Sequence, residues 1–302
     1  MQEKIQFSIV IPTYNRSEFL KIALESLINQ TYQNWEAIVV DNYSADETIQ
    51  VVKLIADSRI KFHQIQNNGI IAKSRNYGIQ QAKGEWLGFL DSDDQYYPNK
   101  LKKCSAFITD NTDFIYHSIV LHHYSRNKQV GMIHAEKLSV PIFKSILFGG
   151  APFATSSVLV RREVMQQVNG FNDQKKMIKS EDFHCWLLIS RVTEKFLAID
   201  EVLGMNLVGH SNESNPDMSR NLNAVYEYFY NELSVHERKV TSLITKSYYV
   251  QSLLREKEYS EFFKQLKILL FQYSIRSFVN YMSLFLFSRI RKRLFLLYRR
   301  MR

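Results

Sequence analysis

Gly84-Glu85-Trp86-Leu87-Gly88-Phe89-Leu90-Asp91-Ser92-Asp93-Asp94 is the stretch on which the reading of this chain turns. Its first half is a short apolar run after a glycine breaker, the pattern of a buried strand. Its second half places three carboxylates within four residues, where that strand ends. Burying an unpaired carboxylate is costly, so such a cluster either faces water or holds a cation. Asp91-Ser92-Asp93 sets two hard oxygen ligands on the same side of an extended chain. That donor set suits Mg²⁺ or Mn²⁺, which takes one or two carboxylates and completes its shell with substrate phosphates. A solvated acidic turn is the other reading. The apolar strand before the cluster, and Tyr96, Tyr97 and Pro98 after it, point to a site.

Working outward, the same signal repeats. Residues 7–11 and 37–40 read as buried strands, and residues 60–65 as an alternating one. Between them lie helical patterns. Ser17 is the expected N-cap of a helix with Leu20, Leu24, Leu27 and Ile28 inward. Asp46 is the expected cap of the next, with Val51, Val52, Leu54 and Ile55 inward. Asn68-Gly69 turns into a helix that runs through Ala82. Strand and helix thus alternate along four strands, which predicts a mostly parallel sheet with right-handed crossovers. Ligands of such sheets sit outside the carboxyl ends of the strands. Thr13, Asp41 and Asp91 all fall at such ends. No GxGxxG follows a strand and no GxxxxGK[ST] occurs, so a bound phosphate would be held by metal rather than by a glycine-rich loop. An aspartate-based phosphotransferase would carry its nucleophile at the end of the first strand, where Pro12-Thr13 stands instead.

The second half is less regular. Residues 98–109 read as a helix opened by Pro98, 114–124 and 128–133 as two strands, and 137–148 as a helix. Residues 156–160 read as a strand, 162–168 as a short helix, and 196–199 as a short strand. Ser180 is the expected cap of a helix whose first turn holds Glu181 and Asp182. From about Leu222 onward the pattern is helical throughout.

The chain has 302 residues and a formal charge of +9, unevenly spread. Residues 262–302 hold ten basic and no acidic side chains, so the preceding 261 residues carry only −1. A near-neutral body with a basic tail excludes a nucleic-acid-binding body and gives the last segment an anionic partner. In that tail Phe287, Ile290, Leu294, Leu297 and Met301 recur at spacings of three and four. Arg289, Lys292, Arg293, Arg299 and Arg300 fall mainly on the other side. This predicts an interfacial helix on an anionic membrane, or an appendage packed on the core or a second subunit. No run of about 20 apolar residues makes it a membrane span. The N-terminus does not read as a signal peptide. Cys104 and Cys185, far apart, favour a reducing compartment over a disulfide framework.

Several motifs in order resemble the family 2 glycosyltransferases, over residues 7 to about 214. Ser8-Ile9-Val10-Ile11-Pro12-Thr13-Tyr14-Asn15-Arg16 is similar to that family's opening strand and nucleotide loop. Val39-Val40-Asp41-Asn42-Tyr43-Ser44-Ala45-Asp46 resembles its second motif. Gly69 through Asp94 resembles its longest block, including Ala72-Lys73-Ser74-Arg75-Asn76-Tyr77-Gly78. Residues 156–162 and Gly170-Phe171-Asn172 resemble an acceptor-side segment. Glu181-Asp182 with Trp186 resembles the catalytic helix, and His210 with Ser214 a histidine-bearing loop. Asn42 and Tyr43 depart from the usual Asp and Gly. Leu207 and Val208 stand where a Tyr-Arg pair is common. The Gln-x-x-Arg-Trp motif of processive members is missing, which implies single sugar additions.

The resemblance implies an α/β GT-A fold, a Rossmann-like, mostly parallel sheet flanked by helices, with a helical C-terminal appendage. It implies a catalytic domain over 1–215, divided into a nucleotide-binding half (1–97) and an acceptor half (98–215), and a helical region over 216–302. The implied reaction is inverting transfer from a nucleotide sugar, UDP by the family's habit, to a glycan or lipid-linked glycan acceptor at the inner face of the cell membrane. Asp182 is then the general base, a task worth roughly 10²–10⁴-fold in rate; capping its own helix is the other reading. Asp93 is the first candidate ligand for Mn²⁺ or Mg²⁺. Asp91 is a second ligand or a ribose contact beside Ser92, Asp94 can exchange roles with either, and His210 is a further ligand, a phosphate donor or a solvated residue. Pro12, Thr13, Tyr14, Asn15 and Arg16 line the nucleotide, Asp41 accepts from a base N–H and Arg75 donates to a base carbonyl. As alternatives, Asp41 is a turn former and Arg75 a solvated helix residue. Glu181 and Trp186 support the acceptor side. Arg161 and Arg162 either touch an anionic acceptor or form a surface pair. A family member that binds nucleotide sugar without turnover is the non-enzymatic alternative.

Overall fold

The computed structural model describes residues 6–209, 217–255 and 258–272. His210 and the basic amphipathic stretch 287–301 lie outside them. The chain divides into two compact units, Met1–Ser211 and Asn212–Arg302.

The first unit is built on one nine-stranded sheet. Strands β1 (Phe7–Thr13), β2 (Trp35–Asp41), β3 (Ile60–Gln64) and β4 (Trp86–Phe89) run parallel in the order β3-β2-β1-β4. Every residue of β1, β2 and β4 is buried, which is why they read as continuous apolar runs. Helices α1 (Ser17–Ile28), α2 (Thr48–Ile55) and α3 (Ile71–Gln81) connect them. Helix α1 buries Leu20, Ala23, Leu24 and Leu27, as its spacing predicts. On α3, Gly78 allows helix and sheet to meet: a Cβ there would lie 2.4 Å from Val10 Cγ1.

The second half of the sheet is mixed. Strands β5 (Gln95–Tyr96), β6 (Phe114–His123), β7 (Lys128–Ile133), β8 (Val158–Arg161) and β9 (Phe196–Val208) complete it. Strand β8 lies antiparallel between β4 and β6, and β6 pairs with β9 in parallel. Helices α4 (Lys100–Ser105), α5 (Ile142–Gly149), α6 (Arg162–Gln167) and α7 (Glu181–Val192) flank it. Trp186 is its hub. That ring packs against Phe114 at 5.3 Å, Phe171 at 5.6 Å, and Phe89 and Phe153 at 6.1 Å.

Several local expectations are corrected. Neither Ser17 nor Ser180 caps its helix with its side chain. Asp46 serves both neighbouring helices: its carboxylate accepts the Ser17 N–H at 2.8 Å and the Thr48 N–H at 3.1 Å. Burial pushes this carboxyl up, but the hydrogen bonds from Thr48 and Ser17 outweigh it and hold its pKa below the ordinary value. Leu54, expected inward, is exposed. Helix α5 starts at Ile142, because the residue before Pro141 is driven out of the helical region. Strand β9 is far longer than residues 196–199, and β5 was not legible at all. Their pairing partners lie far away along the chain, and β9 alternates only weakly in burial.

The second unit contains helices α8 (Asp217–Tyr228), α9 (Val235–Arg255) and α10 (Tyr259–Gln272). Helix α9 packs against both others. Among the described residues, no helix is long and apolar enough to cross a membrane.

Candidate active site

The parallel register brings Thr13 of β1 level with Asp41 of β2, and Val10 level with Phe89 of β4. The loops that follow these strands therefore converge at one edge of the sheet. They enclose a cleft of about 390 Å³. Pro12 and Thr13 line it at the end of β1, Tyr14 and Arg16 just beyond, Asn42 after β2, and Asp91, Ser92 and Asp93 after β4. Asn67, Gly69 and Ile71 close the remaining side, and sequence reasoning did not single them out. Their signal was the Asn68-Gly69 turn, where both residues adopt positive φ.

Two predicted residues tie the loops together instead of facing the cleft. Asn15, at φ 50°, donates its N–H to Ser44 Oγ at 2.8 Å and accepts the Ala45 N–H at 2.8 Å. Asp41 is fully buried, and its oxygens accept from the Ser44 N–H at 3.0 Å and Gln64 Nε2 at 3.0 Å. Its turn-forming role is the one the structure displays. Thr13 Oγ1 is buried beside the cleft with no hydrogen-bond partner among the described residues.

The acidic cluster divides by environment. Asp91 and Asp93 are on the cleft wall. Asp93 pairs with Arg16 across the cleft. Asp94 turns inward, where its Oδ2 accepts from Ser156 Oγ at 2.5 Å and its Oδ1 from the Leu207 N–H at 3.1 Å. Burial, then the charges of Asp91 and Asp93, push its pKa well above the carboxylate range. Asp94 thus ties the loop after β4 to the turn before β8 and to β9. Among the described residues, no group of three or more His, Cys, Asp or Glu side chains could hold a metal. The two cleft carboxylates fit Mg²⁺ or Mn²⁺, whose remaining ligands are water and phosphate oxygens.

Arg75 is almost completely buried and faces the interior, against expectation. It donates to Asp91 Oδ1 at 2.8 Å and to Glu181 Oε1 at 2.9 Å. Burial disfavours its charge, but Asp91 and Glu181 outweigh that and raise its pKa. Glu181 Oε2 has no hydrogen-bond partner among the described residues, and burial outweighs Arg75 to push that carboxyl up. Asp182 is half-buried on the first turn of α7. It accepts Thr155 Oγ1 at 3.1 Å and the Phe183 N–H at 2.7 Å. Trp186 is a core residue below this turn and supports it without facing the cleft. Arg161 is a structural ion pair, bonded to Glu85 at 2.9 Å and Asp113 at 3.0 Å.

This fold, with carboxylates at the ends of parallel strands and a polar cleft between them, is that of a GT-A glycosyltransferase domain. Residues 8–169 match the sequence pattern of Glycosyl transferase family 2, and the chain belongs to that family. It is 31% identical over 183 residues to the Escherichia coli UDP-Glc:alpha-D-GlcNAc-diphosphoundecaprenol beta-1,3-glucosyltransferase WfgD, covering 60% of this chain and 68% of that one. S. aureus TarS 1-349 in complex with UDP-GlcNAc has the same fold, with a TM-score of 0.64, 20% identity, and coverage of 82% of this chain and 79% of that one. So does the mannosyltransferase PcManGT from Pyrobaculum calidifontis in complex with GDP-Man and Mn2+, at TM-score 0.61, 14% identity, and coverage of 92% and 84%. The matched region spans only 26–30% of the length of several uncharacterized glycosyltransferases of Rickettsia.

Proposed function

We propose that this chain transfers one sugar, with inversion, from a nucleoside-diphosphate sugar to a hydroxyl of a glycan or lipid-linked glycan. UDP is the preferred nucleotide. The observation that carries the reading is the pairing of two cleft carboxylates, Asp91 and Asp93, with a separate carboxylate, Asp182, on the first turn of α7. The relatives support the donor class: one is a UDP-Glc-dependent glucosyltransferase acting on a diphosphoundecaprenol-linked sugar, and two of the similar structures hold UDP-GlcNAc or GDP-Man.

In this reading residues 1–97 bind the nucleotide and residues 98–215 the acceptor. The base and ribose lie between the Pro12–Arg16 loop and Asn42, over Tyr14. Asp91 and Asp93 would hold Mn²⁺ or Mg²⁺, which supplies charge against the departing diphosphate. Arg16 leaves Asp93 and donates to a phosphate oxygen. The acceptor oxygen attacks the anomeric carbon as the bond to the diphosphate breaks, and its proton passes to Asp182. Each Asp182 oxygen accepts one hydrogen bond in the structure and keeps a lone pair for that proton. His210, outside the described residues, is a further candidate for the diphosphate. The basic 287–301 stretch, also outside them, is proposed to hold the enzyme on an anionic membrane at its inner face, where a lipid-linked acceptor is displayed.

Calorimetric titration of UDP, GDP and dTDP, with and without Mn²⁺, tests the donor site. One nucleotide should bind in a metal-dependent way, and Asp93→Ala should abolish that binding. No nucleotide binding by the folded protein would overturn the reading. Asp182→Asn should bind normally and lose roughly 10²–10⁴-fold in rate; retained turnover would reject Asp182 as the base. Flotation with anionic liposomes should recover the full chain and lose a 1–261 truncation. Equal recovery of both would reject the interfacial helix.

A further inference from the structure

Behind the cleft lies a buried polar cluster that the chemistry above leaves unused. Lys100, the first residue of α4, is completely buried. Its Nζ donates to the Ser156 carbonyl at 2.7 Å and lies 3.2 Å from the centre of the Tyr96 ring. Burying a lysine is expensive, and desolvation pushes this one well below the ordinary lysine value, with Cys104 and Asp94 opposing. A group retained at such a cost needs a reason.

Ser156 supplies one, because it is bonded in three directions. Its carbonyl takes Lys100, its hydroxyl donates to Asp94 at 2.5 Å, and the same oxygen accepts the Asp91 N–H at 3.1 Å. Ser156 therefore grips the end of β4, from which Asp91 and Asp93 enter the cleft. Its neighbour Thr155 donates to Asp182 at 3.1 Å. Both residues belong to a single tight turn, Thr155–Ser157, closed by the Ser157 N–H and hydroxyl on the Ala154 carbonyl at 2.8 and 2.7 Å. Adjacent Cα atoms are held about 3.8 Å apart by the peptide bond. One tight turn thus holds the Asp91 backbone and the Asp94 carboxylate with one hydroxyl and the candidate base with the next.

We propose that the Thr155–Ser157 turn, anchored from behind by Lys100, is the spacer that sets the distance between the donor-side carboxylates and Asp182, with Thr155 and Ser156 as positioning residues. This rests on the transfer reading above. The physical need is clear, since a misplacement of about 1 Å between reacting groups costs on the order of 10²-fold in rate.

The test compares Thr155→Val, Thr155→Ser and Ser156→Ala with the wild type. The readouts are kcat and KM for nucleoside-diphosphate release, and calorimetric binding of Mn²⁺ with whichever of UDP, GDP or dTDP the wild type takes. Thr155→Val should lower kcat roughly tenfold to a hundredfold with KM unchanged, and Thr155→Ser should restore most of it. Ser156→Ala should weaken metal-dependent nucleotide binding severalfold, a readout that needs no turnover. Wild-type kcat in Thr155→Val, or equal loss in Thr155→Ser, would overturn the spacer. So would unchanged nucleotide binding in Ser156→Ala. If Asp182→Asn keeps its turnover, the base assignment fails, and the Ser156→Ala titration still decides for or against the turn.

Discussion

The halves of the sheet before and after residue 97 are held together by different means. In the first, strand and helix alternate, the strands β1, β2 and β4 are buried throughout, the cleft residues gather in loops at one edge, and Ser8 pairs with Glu36 inside the sheet at 2.7 Å. In the second, strands of both directions interleave, and the buried polar side chains bond one strand or turn to another across the sheet. Asp94, at the boundary, and Lys100, His117 and Ser156 are all buried there. The difference separates two tasks. The cleft is lined by loops on a backbone scaffold, whereas Asp182, the proposed base, is bonded to Thr155 of the second half.

Arg75 is where the comparison breaks most sharply, since it extends from the first half to Asp91 and to Glu181 of the second. Arg75→Met should cost about 3–5 kcal/mol in urea denaturation, because it leaves Glu181 buried and unpaired. A loss below about 1 kcal/mol would mean that the halves are held independently.

Acid should strike the halves in order. In the second, burial and the nearby Lys176 lower the His184 pKa from 6.5 to about 4, and burial likewise holds His117 neutral. For His184 the unfolded chain then binds more protons between those values, so stability falls as pH drops from 6.5 toward 4. In the first half Asp46 and Asp57 sit below the ordinary carboxylate value of 3.8, so their contribution is lost only in stronger acid. Hydrogen exchange at pH 5 should therefore loosen α7 before α1 and α2, and His184→Gln should flatten the dependence. Simultaneous loosening would remove this distinction.

The smallest effect concerns the loop after β2. Tyr43 holds φ at 55° and is exposed, where a glycine would rest without strain. Tyr43→Gly should raise stability by about 0.5–1 kcal/mol in thermal melts. A loss instead would show that its ring packs in solution.

Legibility in the sequence follows the same division. The runs 7–11, 37–40 and 84–90 are dominated by apolar residues, and each of the three strands they form is buried along its whole length. Parallel strands end at a common edge, so alternation alone assigns Thr13 and Asp91 to that edge, and both line the cleft. Asp93 is legible for the same reason.

What the chain determined by itself is what short-range pattern can encode: buried parallel strands, the helices between them, and acidic residues at a strand end. Tertiary structure alone decided which of those residues face the cleft. Asp41 and Asp94 were turned inward, and Arg75 was given to Glu181, 106 positions away. It also buried Lys100 under Ser156 and joined Thr155 to Asp182. The physical reason is distance along the chain. Periodicity reports which side of its own element a residue occupies, but a buried polar group must find its partner wherever the fold brings one.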